Sequence, residues 1–176
     1  MCHSDRVRVP VPLRERLGDL VFVAFFTVNI GFITYMVDLE QLVVGDPRHF
    51  RYPLWPPRPM VDLVHRYGTD LDPLLLARPA FWRMTIWIDV LFFGPFYALA
   101  IYAFVRGRDW IRVPALVWSG TMGANVLIIL MEERFGEHAT PHFPAVLALN
   151  LPWLLLPVAV IWRMRRDHPF TRAVPA

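Results

Sequence analysis

The sequence predicts an all-α membrane protein, a four-transmembrane-helix bundle with an intramembrane ligand pocket. Three observations predict it. The 176 residues are 56% hydrophobic, well above the soluble average. Four apolar runs each approach the roughly 20 residues that a helix needs to cross a bilayer at about 1.5 Å per residue. One of them, Phe81 to Val105, carries a carboxylate, Asp89, inside the run. A bare Asp near the centre of a span costs about 2.5–3.5 kcal/mol on insertion scales, so Asp89, about two turns in, is expected to face a protein-lined cavity.

In chain order the expected spans are Leu20 to Val37, Met84 to Val105, Val113 to Met131 and Pro144 to Trp162. Residues 1–16 form a polar tail, 17–167 the transmembrane domain and 168–176 a second tail. Arg6, Arg8, Arg14 and Arg16 precede the first span, Arg106, Arg108 and Arg112 fill the second connection, and Arg163, Arg165 and Arg166 follow the fourth. The third connection is acidic, with Glu132, Glu133 and Glu137. The excess of basic residues therefore puts both tails in the cytoplasm. The first connection also holds Arg48, Arg51, Arg58 and Arg66, but it is long and mixes in Asp46, Asp62, Asp70 and Asp72.

All 18 basic residues are Arg, which reflects genome composition more simply than function. Cys2, the one cysteine, forms neither an intramolecular disulfide nor a cysteine metal site. No cleavable signal peptide is expected, because the Arg-rich start is followed by an apolar run of spanning length. His49, His65, His138, His142 and His168 lack metal-like spacing and read as surface residues. No cofactor is expected, and no phosphate loop, nucleophile elbow or nucleic-acid patch is present.

The first connection, Leu39 to Pro79, is too apolar for a disordered linker. Pro53, Pro56, Pro57 and Pro59 break regular structure, after which Met60, Leu63, Val64 and Tyr67 recur at helical spacing. They predict a short amphipathic helix packed over the bundle on the membrane face, stopped by Gly68. Inside the spans, Pro95, Pro152 and Pro157 each remove a backbone donor, and kinked helices leave room between them.

Helical spacing sorts the polar residues into stripes. Thr27, Thr34 and Asp38 share one face of the first span, Thr85, Asp89 and Phe96 one face of the second, and Thr121, Asn125 and Glu132 one face of the third. Asn150 and Trp153 lie three apart on the fourth. Polar groups in hydrocarbon need partners, so the simplest packing turns all four stripes inward around one pocket, with Glu132 at its mouth. Thr residues and the small Ser119, Gly120, Gly123 and Ala124 are also ordinary helix-packing residues. Asp89 is not, because packing does not require a carboxylate.

The segments GFITYMVDLE, DLDPLL (Asp70 to Leu75), WIDVLFFGPF, YAFVRGRDWIRVPAL, ANVLIILMEE and LNLPWLLLP resemble, in order and from about Leu17 to Asp167, the EXPERA-domain family of four-span proteins. Its members include the emopamil-binding protein, a sterol Δ8–Δ7 isomerase, and the sigma-2 receptor, which binds sterols and cationic amphiphiles. The resemblance implies that Asp38 matches the acid ending the first span and Asp89 the acid of the second. It gives Asp72 a structural role in the first connection. Asn150 and Trp153 are similar to the isomerase pattern, in which the tryptophan faces the sterol cation. Thr34 stands where isomerases carry a histidine one turn before the first acid, as in the sigma-2 receptor branch.

Moving a ring double bond needs an acid, a base and a stabiliser for the carbocation between them. Asp38 and Asp89 sharing one proton would supply the first two, and Trp153 a cation–π contact of roughly 2 kcal/mol when desolvated. The same parts bind a protonated amine without chemistry. The expected ligand-binding set is Asp38, Asp89, Thr34, Asn125, Asn150 and Trp153, with Asp38 and Asp89 catalytic in an isomerase. A purely structural membrane protein or chaperone is a third class. Expected partners are a sterol-like lipid or cationic amphiphile and membrane lipids, with a homodimer left open. The expected location is the endoplasmic reticulum in a eukaryote or the cytoplasmic membrane in a bacterium. Reporter fusions at Ala176 and at Glu137 are expected to report opposite compartments, Ala176 in the cytoplasm; identical compartments would reject the four-span topology.

Overall fold

The structure, a computed structural model, describes residues 7–175; Cys2, Arg6 and Ala176 lie outside the described residues. Among the described residues, four helices are long and apolar enough to cross a membrane: Asp19–Val43, Ala80–Arg106, Asp109–Phe135 and Phe143–Arg163. At the centre sits an aromatic core of Phe26, Phe93, Phe96, Tyr97, Phe104 and Trp118, drawn from the first three spans. The Phe96 and Trp118 rings stack at 5.3 Å with an interplanar angle of 13°. Phe26 meets Trp118 edge-on at 5.4 Å. Such pairs contribute about 0.5–1.5 kcal/mol each beyond their area, and in lipid, where apolar burial drives little, this packing holds the spans together.

Two stretches depart from α-helical winding. Asn29–Asp38 in the first span and Asp89–Phe93 in the second form π-helix, whose hydrogen bonds reach five residues rather than four. The wider turn shifts the facing of everything beyond it. Thr27 is therefore exposed, its hydroxyl donating to its own helix at Val23 O (2.8 Å), while Thr34 and Asp38 are buried. The expected Thr27–Thr34–Asp38 stripe does not exist, because seven residues no longer make two turns there. Pro95 falls just after the second π stretch, at the start of the α-helical segment Gly94–Arg106. The extra residue in that turn accommodates the missing proline donor. Pro152 and Pro157 lie within a continuous helix.

The third span also faces differently from its expected stripe. Trp118 fills the aromatic core, and turning it inward buries Ser119, Met122, Val126, Leu130 and Glu133. Thr121 donates to Val117 O on its own helix (3.0 Å), and Glu132 is turned away.

The first connection folds back as a lid. Its helix, Arg58–Asp70, buries Val61, Val64 and Gly68. Gly68 is not a stop signal: a Cβ there would approach Leu76 Cγ to 2.7 Å, so the glycine lets the short Leu74–Ala77 helix pack against it. Arg78 follows in the left-handed conformation (φ 48°), ending that helix and aiming its guanidinium inward. Arg78 Nη2 donates to Glu40 Oε2 at 2.8 Å, and His65 Nε2 lies 2.9 Å from Glu40 Oε1. Glu40 is fully buried, so His65 belongs to a hydrogen-bonded network with Glu40 and Arg78 rather than to the open surface. Trp55 Nε1 donates to Tyr35 O at 2.7 Å, satisfying a carbonyl within the first π stretch. Thr140 Oγ1 donates to Leu71 O at 2.6 Å, tying the third connection to the lid.

At the opposite end the tails pair. Strand β1 (Val7–Pro10) runs antiparallel to β2 (Thr171–Val174), with Val7 opposite Val174. Asp19 accepts from both Arg16 and Arg163, the latter at 2.6 Å, and both guanidinium groups lie over the Phe170 ring.

The first two spans touch at Gly94, where a Cβ would approach the Tyr35 hydroxyl oxygen to 2.6 Å and Thr34 Cγ2 to 3.1 Å. Gly94→Ala is expected to push these helices apart at about 1–3 kcal/mol, seen as a lowered thermal unfolding midpoint in detergent. An unchanged midpoint would show that the contact yields freely.

Candidate functional site

Between the spans and beneath the lid lies a largely apolar cavity of about 390 Å³, within the roughly 300–1,000 Å³ of small-molecule sites. Five of the six residues singled out as ligand contacts line it: Asp38, Asp89, Asn125, Asn150 and Trp153. They come from all four spans. Thr34 is not in the wall; it stands behind Asp89, fully buried, with Oγ1 donating to Asp89 Oδ1 at 2.9 Å.

Asp38 closes the first π stretch and Asp89 opens the second, so both acids sit where the helices change winding. Single π turns recur at functional sites because they re-aim side chains. Each acid is 8% exposed, and their carboxyls are within hydrogen-bonding reach of each other. Two carboxyls hydrogen-bond only when one carries a proton, so a bonded pair holds a donor and an acceptor side by side. That arrangement receives an ammonium group, or hands a proton to one atom and takes one from another.

Trp153 is fixed by a residue the sequence reading passed over. Its Nε1 donates to Asn29 Oδ1 at 2.8 Å, and Asn29 Nδ2 donates to Phe25 O at 2.8 Å. An amide in an otherwise apolar span was the available signal. Asn150 Nδ2 donates to Val146 O at 2.9 Å on its own helix.

The cavity extends towards the lid, where Asp72 and Glu133 also line it. Asp72 Oδ1 accepts from Leu74 N at 3.1 Å, holding the turn that starts the short helix. Burial pushes the Asp72 carboxyl above its ordinary range, against the opposing hydrogen bonds from Glu133 and Leu74. Burial likewise pushes the Tyr67 hydroxyl up to about 12, with the nearby Asp72 and Glu133 charges adding to it. Glu132, expected at the pocket mouth, instead faces an outer groove and accepts from the His138 backbone N–H at 3.1 Å. Its neighbour Glu133 is the acid in the wall. Reading the third span by its polar residues chose the wrong one of the two, because Trp118 sets that helix's rotation.

Fold and cavity together define a four-span membrane protein with acidic side chains facing a largely apolar cavity. A family model described as EBP, EXPERA (EXPanded EBP superfamily) matches residues 59–164, and the chain belongs to that family. It is similar to Sigma intracellular receptor 2 of Homo sapiens, 34% identical over 172 residues covering 89% of this chain and 92% of that protein. The Macaca fascicularis protein of the same name is 32% identical over 173 residues, with the same coverage. The Xenopus tropicalis one is 29% identical over 160 residues, covering 85% and 88%.

Thr34→Val removes the hydroxyl that Asp89 accepts from while keeping the volume. It is expected to cost about 1–3 kcal/mol, read as a lowered unfolding midpoint that Thr34→Ser restores. Equal midpoints for Val and Ser would show that the bond contributes nothing.

Proposed function

We propose that this protein binds a sterol-like lipid or a hydrophobic amine in the acid-lined cavity, in the manner of a receptor. The observation that carries the reading is the meeting of Asp38 and Asp89, from two different spans, in the wall of one apolar cavity whose lining, among the described residues, holds no Arg, Lys or His. A carboxylate pair with no basic side chain in its wall lacks a countercharge, and an ammonium group supplies one. The apolar remainder of the wall suits an apolar ring system. The relatives' own name calls them intracellular receptors, which agrees with binding.

Double-bond isomerisation is the second reading, favoured by Trp153 lining the same cavity as the two acids. It ranks lower because Thr34 occupies the position of the isomerase histidine and is a fixed donor to Asp89. A threonine hydroxyl does not relay protons as an imidazole does.

The test is titration of wild type, Asp38→Asn and Asp89→Asn with a hydrophobic amine and its neutral carbon analogue. If one acid carries most of the contact, its Asn variant is expected to lose about 2–5 kcal/mol for the amine, roughly 30- to several-thousand-fold in affinity. The neutral analogue should lose far less. Amine binding should also weaken as pH falls far enough to protonate both acids. Equal affinity of amine and analogue in all three proteins would reject charge recognition. Turnover of a Δ8-sterol by wild type but not by Asp89→Asn would instead reverse the order of the two readings.

A further inference from the structure

The chain has four side-chain amides, Asn29, Gln41, Asn125 and Asn150. Three are engaged by the protein. Asn29 donates to Phe25 O and accepts from Trp153, and Asn150 donates to Val146 O. Gln41 Nε2 donates to Val37 O at 3.4 Å, while its Oε1 accepts from Trp82 Nε1 at 2.6 Å. Asn125, half-buried in the cavity wall, has no hydrogen-bond partner among the described residues. Even the carbonyl four residues back is unused, although Ser119 and Thr121 on the same helix each donate to theirs. A polar group in hydrocarbon without a partner is costly, and native structures rarely keep one without a use.

Met122, Asn125 and Ile129, three and four residues apart, all line the cavity, so the amide sits on the cavity face of its helix. Asn125 lies ten residues inside the Phe135 end of its span, about 15 Å of rise, and Asp89 nine inside the Ala80 end of the antiparallel neighbour, about 14 Å. Those two ends are level, because Phe81 and Phe135 line one outer groove. Asn125 and Asp89 thus face the cavity from different spans at one depth.

Their chemistry is complementary. An ionised carboxylate only accepts, and two carboxyls that share a proton spend it on each other. A ligand oxygen beside the ammonium group therefore finds no donor at Asp38 and Asp89. Asn125 supplies two N–H donors and a carbonyl acceptor at that level.

We propose that Asn125 is a specificity-determining residue that bonds an oxygen atom at the nitrogen-bearing end of the ligand, so that the cavity selects the amino-alcohol or amino-ketone class over plain amines of the same shape. The inference rests on the reading of the cavity as an amine site and narrows it. The ammonium meets the acids, and the oxygen accepts from Asn125 Nδ2. A plain amine leaves the amide without a partner.

The probes are a rigid hydrophobic tertiary amine, the same amine with a hydroxyl on the carbon next to a nitrogen-bearing carbon, and the same amine with a carbonyl there. Each is titrated against purified wild type and Asn125→Leu at a pH that keeps all three protonated. In wild type both oxygen-bearing probes are expected to bind about 3- to 10-fold more tightly than the plain amine. In Asn125→Leu both ratios are expected to fall towards one. The carbonyl probe only accepts, so its gain requires a donor in the wall. Without ligand, the unfolding midpoint of Asn125→Leu is expected to equal or exceed that of wild type, because the substitution removes an unpartnered amide. A lowered midpoint would show the amide engaged by the protein itself and overturns the proposal. Ratios near one in wild type, with the plain amine bound, overturn it and leave the proposed function standing. Unchanged ratios in Asn125→Leu assign the gain elsewhere and also overturn it. Failure of all three probes to bind wild type rejects the amine-binding reading of the cavity, and this inference with it.

Discussion

In hydrocarbon a polar group has no water to bond with, and the arrangement of this protein follows from that constraint. Asp89 takes a hydroxyl from Thr34, Trp153 an amide oxygen from Asn29, and the carbonyl of Tyr35 an indole N–H from Trp55. Glu40, wholly buried, is answered by Arg78 and His65 from the lid. Each pairing joins two different parts of the chain. The polar groups therefore set the register of the bundle, while the aromatic core fills the space that register leaves.

The number and order of the spans were legible because apolar length and charge are properties of the chain itself. Asp38, Asp89, Asn125, Asn150 and Trp153 were legible as residues too polar, or too particular, for their surroundings. What was not legible was rotation. Thr27 and Thr34 share a face only if every turn between them is α-helical, and ten residues of π winding break that premise without a mark in composition. Glu132 and Glu133 are chemically equivalent neighbours; only the burial of Trp118 decides which looks inward. Gly68 reads as a terminator by type, whereas its role depends on Leu76, which arrives from the following helix. His65 reads as surface until Glu40, 25 residues earlier, is placed beside it.

The lid is chemically unlike the spans it covers. Its helix presents Leu63, Val64 and Tyr67 to the cavity, and Asp62 and Arg66 are exposed. It is attached both by polar contacts, among them the Glu40–Arg78 pair, the Thr140 bond to Leu71 and the Trp55 bond to Tyr35, and by apolar packing of Val64, Leu74 and Leu75 against Trp82, Ile86 and Val90 of the second span. Polar attachments at a membrane edge exchange with water more readily than packed rings separate. Any passage into the cavity through the lid thus breaks these hydrogen bonds and the packing of Val64, Leu74 and Leu75 on the second span, and leaves the aromatic core in place.

The pairing of β1 with β2 bears on the order in which the molecule is assembled. Val7 emerges early in synthesis, but its partner Val174 is made after the fourth span, with 166 residues between them. Until then Val7–Pro10 has exposed backbone groups and no strand to meet them, and Asp19 lacks the second of its two arginines. A nascent chain with three spans inserted thus carries an unlatched leading segment, a state in which a quality-control factor could distinguish an incomplete bundle from a finished one. Pairings between distant parts of a chain form late in folding for the same entropic reason, so here the final strand is a closing clasp whose absence marks unfinished assembly.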